Sequence, residues 1–179
     1  MESMPEPCFA GAGSGRYAKR HNPFAYFPSI TALPSRCRNV VPETRLLADL
    51  DRHRLPTFGW FTPDLCHDGH DCTLKAVDWY LWLLLPRVIH QLGPHGLLVI
   101  TFDEGLSDAG CCGAPGGGRV ATILVGPDVT RGSEIRRPAD HYSLLASVED
   151  HFGLPRLRLA RPAQPLAPSL FAPQAIASR

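Results

Sequence analysis

Asp103 and Glu104 stand directly behind the apolar run Leu97 to Phe102 and just before Gly105. Adjacent carboxylates at the end of an apolar strand repel one another and lose hydration, so keeping both ionised calls for a cation or a set of donors. A bound divalent metal meets that need. Oxygen-only ligands suit calcium, magnesium or manganese, while nearby histidines keep zinc or iron open. The competing reading is two solvated acids that open a glycine-containing loop.

A second concentration of chemistry is Cys66-His67-Asp68-Gly69-His70-Asp71-Cys72, which places two histidines and two acids between two cysteines, with Asp64 just ahead. Histidine at a phosphoester site donates to phosphate oxygens or protonates a leaving group, as its near-neutral pKa allows. A structural zinc site is disfavoured because Cys66 and Cys72 lack the short ligand gap of such sites. Plain surface polarity is the other alternative. His21 follows the basic run Arg16 to Arg20 and precedes Asn22-Pro23, a turn signal, so it either serves a site or caps that turn. Gly116-Gly117-Gly118 lacks the Lys-Ser/Thr ending of a phosphate loop and precedes a strand, so it reads as a flexible turn. His53, His90, His95, His141 and His151 read as surface or packing residues, with His141 the most open because it begins a helix.

The elements that must position these residues follow from patterning. Leu46, Leu47 and Leu50 recur at helical spacing within Pro42 to His53, and Leu55-Pro56 ends that helix. Thr57 to Thr62, bounded by Pro56 and Pro63, reads as a buried strand that delivers the His and Asp loop. Thr73 is an expected N-cap for a helix through Val77, Tyr80, Leu81, Leu84 and Val88 to Leu92, broken or kinked at Pro86 and ended by Gly93. Gly96 to Phe102 and Val120 to Val125 read as strands, and Asp140 caps a helix carrying Leu144, Leu145, Val148 and Phe152, stopped by Gly153 and Pro155. Residues 1–16 read as an irregular arm that Cys8 could tether. Residues 156–179 read as a Pro/Ala-rich tail with Leu166, Leu170 and Phe171 as anchors. The alternation is that of an α/β domain, in which parallel strands would bring the His and Asp loop and the acidic pair to one sheet edge.

Composition narrows the partners. The chain has 179 residues, 44% of them apolar, enough for a single domain with a real core. Lys and Arg number 18 against 17 Asp and Glu, a balance without broad attraction for nucleic acid or anionic membrane. The longest apolar stretch, Trp79 to Leu85, is far short of the roughly 18 residues that cross a bilayer, so no transmembrane segment is expected. Met1 to Cys8 lack the basic start and apolar core of a secretory signal. Six cysteines nonetheless suggest disulfides in an oxidising compartment, with a reduced cytosolic chain as the alternative. Their pairing is not deducible from sequence; Cys66 with Cys72 and Cys8 with Cys37 are preferred, leaving Cys111 and Cys112 unresolved.

Taken in order, Tyr17-Ala18-Lys19-Arg20-His21-Asn22-Pro23-Phe24, the segment Thr62 to Cys72, Thr101-Phe102-Asp103-Glu104-Gly105 and His141-Tyr142-Ser143-Leu144-Leu145 resemble the bacterial phosphoesterase family of acid phosphatases and phospholipases C. The resemblance runs from Met1-Glu2-Ser3-Met4-Pro5 over nearly the whole chain. It implies an alkaline-phosphatase-like α/β fold with a parallel-sheet core, here lacking its amino-terminal strands. It also implies phosphate-ester hydrolysis by one divalent metal ion and a hydroxyl nucleophile. By resemblance Asp103 and Glu104 are metal ligands, and His21 and His70 bind phosphate or assist the leaving group; His67 stands where asparagine is as typical. The metal is calcium, magnesium, manganese or zinc, and the substrate a small phosphate ester or a phospholipid head group. The family's Glu-Asn metal motif and its Ser or Thr nucleophile lie in an amino-terminal half that has no counterpart here, so no nucleophile is assigned. A truncation or misplaced start is therefore expected, with a secreted or periplasmic location for the full-length family protein. The alternative is a catalytically inactive remnant that binds metal or phosphate weakly at most.

Overall fold

The computed structural model describes residues 1–107 and 117–166. The chain divides into two compact units, Met1–Gln91 and Leu92–Arg179.

In the first unit, β1 (Gly13–Ser14) pairs antiparallel with β2 (Tyr17–Ala18), and a 3₁₀ turn at Lys19–His21 follows. Two single-turn helices, α1 (Pro28–Thr31) and α2 (Pro34–Cys37), each begin on proline, whose fixed φ suits a first helical position. The longer helices are α3 (Glu43–Asp51) and α4 (Leu74–His90). Leu50 is buried against Tyr80 and Leu84 of α4, with Leu46, Leu47, Leu55, Phe61, Leu81 and Val88 packed around them, so the leucine spacing on α3 does build a core. Truncating Leu50 to alanine would cost about 2–5 kcal/mol on the usual scale for such sites. Residues 1–16 are irregular apart from β1. They are pinned nonetheless: Met1 and Met4 are buried with Tyr17, the Glu2 amide donates to the Thr62 carbonyl at 3.1 Å, and a disulfide joins Cys8 to Cys37.

One expectation for this unit needs correction. Thr57 to Thr62 forms no strand, and Phe58 and Trp60 are about half exposed. Pro56 and Pro63 remove ladder donors at both ends, and the carbonyl of Thr62 goes to Glu2 instead. Thr73 sits at the N-cap of α4, but its hydroxyl makes no capping hydrogen bond. The helix itself runs through Pro86, which costs one backbone hydrogen bond without ending it.

In the second unit, β3 (Leu98–Thr101) pairs with β4 (Thr122–Val125) in the register Leu98↔Val125 to Thr101↔Thr122. The pairing is antiparallel. Both two-stranded sheets among the described residues are of this kind, compatible with a mixed α/β composition but not the expected parallel core, so strand direction no longer argues for a shared sheet edge. The remaining helix, α5 (His141–His151), is capped as its sequence predicts: Asp140 accepts from the Ser143 amide at 2.9 Å, and Ser143 Oγ accepts from the Asp140 amide. At its other end Gly153 takes φ +62°, and the Gly153 and Leu154 amides bond to Asp150 and Glu149 carbonyls, a Schellman closure that favours glycine. The following chain is tied back, with Leu166 donating to Ser147 Oγ at 2.8 Å and Arg156 paired with Asp150. Leu166 is thus a genuine anchor; Leu170, Phe171, Cys111 and Cys112 lie outside the described residues.

No helix among the described residues is long and apolar enough to cross a membrane. One face of α4 nevertheless presents Trp79, Trp82, Leu83 and Ile89 to solvent, with Trp82 71% exposed, and Ile123 of β4 is half exposed. An apolar stripe of that extent favours association. Light scattering of the 179-residue chain should show species heavier than a monomer, and Trp79→Lys with Trp82→Lys should reduce them. A monodisperse monomer of the unaltered chain would contradict this expectation.

Candidate functional site

The His and Asp loop is organised by a buried carboxylate. Asp64, 4% exposed, accepts the Cys66 amide at 2.9 Å and the His67 amide at 3.3 Å on one oxygen and the Ser3 hydroxyl at 2.7 Å on the other. Glu2 completes the clasp. Its carboxylate accepts the Asp64 amide at 2.8 Å and lies 2.7 Å from His67 Nδ1. The His67 ring stacks on Tyr80, with centroids 4.4 Å apart, and the Tyr80 hydroxyl donates to Glu43. Burial first, then the Glu43 hydrogen bond and the neighbouring acids, push the Tyr80 hydroxyl well above its ordinary pKa, so it remains a donor. Burial likewise raises the Glu2 carboxyl, although the Asp64 amide and His67 pull it back.

Beyond the clasp, the loop is closed by the Cys66–Cys72 disulfide and by the Asp71 amide donating to the Leu65 carbonyl at 2.8 Å. Asp68 accepts the His70 amide at 2.8 Å on one oxygen, a tight turn across Gly69, whose φ of +92° few other residues adopt. Its other oxygen lies 3.0 Å from His21 Nδ1. His21 and His70 are thereby neighbours, with ring centroids 6.2 Å apart, and His70 Nδ1 is 2.6 Å from Asp71. The base under His21 is rigid: Tyr17, Ala18 and Asn22 are buried, and Asn22 Nδ2 donates to the Tyr17 hydroxyl at 3.1 Å. His70 thus has its Nδ1 hydrogen-bonded to a carboxylate and His21 has its Nδ1 beside one, which leaves Nε2 of each as the nitrogen for a ligand.

In the second unit, Asp103 and Glu104 follow β3 and are exposed. Water, rather than an obligatory cation, relieves the desolvation on which the sequence argument rested. The backbone beneath them is held closely. The Gly105 amide donates to the Gly117 carbonyl, a Cβ at Gly105 would come within 2.9 Å of the Arg119 carbonyl, and one at Gly117 would touch Glu104 Cβ at 3.4 Å. His141, the first residue of α5, donates from Nε2 to the Asp103 carbonyl at 2.8 Å. Two adjacent hard oxygen donors, accessible and carried on constrained backbone, fit a hard divalent ion.

The sequence profile of the Phosphoesterase family matches residues 9–155. The chain belongs to the phosphoesterase family. An acid phosphatase of Aspergillus niger is 29% identical over 168 residues, covering 88% of this chain and 39% of that protein. A phosphate-repressible acid phosphatase of Penicillium chrysogenum is 31% identical over 167 residues, with the same coverage of both chains. A phosphatidylinositol-3-phosphatase of Mycobacterium tuberculosis is 26% identical over 166 residues, 92% of this chain and 51% of that protein. This chain thus spans 39% of the length of either fungal relative. No solved structure gives a significant match.

For this phosphoesterase chain, the structure brings His21 and His70 together as one group and places Asp103 with Glu104 at the end of β3. His67 turns away from that pair into the clasp. Sequence reasoning gave no site role to Glu2, Tyr80 or Glu43, whose partners lie far along the chain, nor to Asn22, which was read only as part of a turn. Asp68 had a better signal, since Asp-Gly-His is a recognisable Asx-turn pattern. Glu2, Asp64 and His67 do bring three potential ligand atoms within 4.8 Å of one another. Amide, hydroxyl and imidazole donors of the protein already engage their carboxylate oxygens, so the group is a hydrogen-bonded clasp.

The clasp has a pH signature. A carboxyl whose pKa is raised on folding binds its proton more tightly in the folded state, so its contribution to stability declines as pH rises from the ordinary value of 4.5 through the raised one. Glu2→Gln, which can still accept from Asp64, should remove that decline. Urea melts of the two proteins between about pH 4 and 7 should show the variant gaining on the wild type as pH rises, and a pH-independent difference would contradict the assignment.

Proposed function

We propose that this chain contributes to hydrolysis of phosphate esters, with Asp103 and Glu104 as ligands of one divalent metal ion and His21 and His70 as the groups that bind phosphate or assist the leaving group. The observation that supports the metal assignment most is the exposed acidic pair on braced backbone, in a chain of this family. A bound ion would supply electrostatic stabilisation of phosphoryl oxygens. Its identity is drawn from calcium, magnesium, manganese and zinc. The chain's own residues account for the remaining steps. As an imidazolium, His21 would pair by charge with Asp68, whose oxygen lies 3.0 Å from Nδ1, and offer the N–H at Nε2 to a phosphate oxygen. His70, anchored by Asp71 and by its own amide on Asp68, offers Nε2 in the same way, either to a second oxygen or as the acid that protonates the departing alkoxide.

The reading also requires a hydroxyl nucleophile and further metal ligands. We place them in polypeptide outside these 179 residues, in keeping with a coverage of 39% of the fungal relatives. Two relatives named acid phosphatases favour a phosphomonoester as substrate, and the mycobacterial relative extends the range to a phosphorylated lipid head group. Two disulfides favour an oxidising location, secreted or periplasmic.

Assayed on p-nitrophenyl phosphate in protein that includes the nucleophile-bearing segment, activity should fall to background with a chelator and in Asp103→Ala. His21→Ala and His70→Ala should each lose ~10²–10⁴-fold in kcat/KM, the usual range for a general acid or phosphate-binding group. Undiminished hydrolysis in Asp103→Ala would remove the metal assignment.

A further inference from the structure

We infer that His141 is a positioning residue for the acidic pair: its Nε2–H hydrogen bond to the Asp103 carbonyl fixes the peptide plane from which Asp103 and Glu104 reach their metal. The inference rests on the reading of those acids as metal ligands. It starts from a contact that joins the first residue of α5 to a strand-end carbonyl 38 positions earlier in the chain.

The carbonyl of Asp103 and the amide of Glu104 belong to one planar group, so holding that oxygen prevents the peptide from turning over. The next peptide is held as well, because the Gly105 amide donates to the Gly117 carbonyl. Both planes flanking Glu104 are thereby pinned, one by a side chain from α5 and one by the returning loop. With φ and ψ of Glu104 restricted and the Asp103 carbonyl held, the Cβ of Glu104 leaves the backbone in a set direction and that of Asp103 has less freedom, although both residues are exposed. Preorganisation of this kind tunes metal affinity without a direct bond to the metal.

His141 is well suited to the task because its own base does not move. Asp140 and Ser143 form a reciprocal capping box at the start of α5, and Ser147 Oγ both donates to the Ser143 carbonyl at 2.8 Å and accepts the Leu166 amide. Donation to a carbonyl also requires that Nε2 carry a proton.

The test measures Mn²⁺ binding by calorimetry and amide hydrogen exchange in wild type, His141→Ala, His141→Gln, Asp103→Asn and Glu104→Gln proteins. His141→Ala should weaken Mn²⁺ binding ~10–100-fold, as losses of ligand-supporting partners do, and speed exchange at Gly105 while the middle of α5 stays protected. His141→Gln, whose side-chain amide can donate near the same place, should recover most of both properties. Wild-type Mn²⁺ affinity in His141→Ala, with binding lost in Asp103→Asn, would overturn the positioning role and leave the metal reading standing. If Asp103→Asn and Glu104→Gln bind as wild type does, the metal reading fails. Exchange at Gly105 then decides whether His141 still fixes the backbone, and an unchanged rate rejects it.

Discussion

The first unit depends on the burial of one carboxylate, that of Asp64. An ionised group 4% exposed persists only if its lone pairs are filled, and here two loop amides and the Ser3 hydroxyl fill them. That requirement draws the amino-terminal residues onto the His and Asp loop, because Ser3 serves it from 61 positions away, and Glu2 beside it accepts the Asp64 amide. Once the loop starts from a fixed point, the Cys66–Cys72 bridge and the Gly69 turn leave little freedom for Asp68. Asp68 in turn brings His21 and His70 side by side.

The second unit solves a related problem by the opposite means. Asp103 and Glu104 remain hydrated, so the fold has no need to neutralise them and instead restrains the backbone that carries them. The two antiparallel strands deliver the pair, and the capped end of α5 meets it. Rigidity below with accessibility above suits a ligand that arrives from solvent, and the family of this chain acts on phosphate esters.

How much of this was legible in the sequence depends on the range of the interaction involved. Local signals read well: the leucine spacing of α3, the Asp140 cap and glycine stop of α5, and the apolar run of β3 all fold as their patterns predict. The segment Thr57 to Thr62 did not, since a β-branched and aromatic run states only that a strand is permitted, and the Thr62 carbonyl found its partner in the amino-terminal arm. Strand direction was equally illegible, because apolar runs do not record which neighbour they will meet. Among the proposed site residues, His21, His70, Asp103 and Glu104 stood out by type, neighbourhood and resemblance, whereas Glu2, Tyr80 and the contact of His141 involve distant positions. Both preferred disulfides, Cys8–Cys37 and Cys66–Cys72, are formed.

The account assigns the metal to the exposed acidic pair and a hydrogen-bonded structural role to Glu2, Asp64 and His67. Those two assignments separate most directly in a crystal soaked with Mn²⁺ and measured for anomalous scattering. The expected result is a peak within coordination distance of the Asp103 and Glu104 carboxylates. A peak at Glu2, Asp64 and His67 with none at the acidic pair would contradict it.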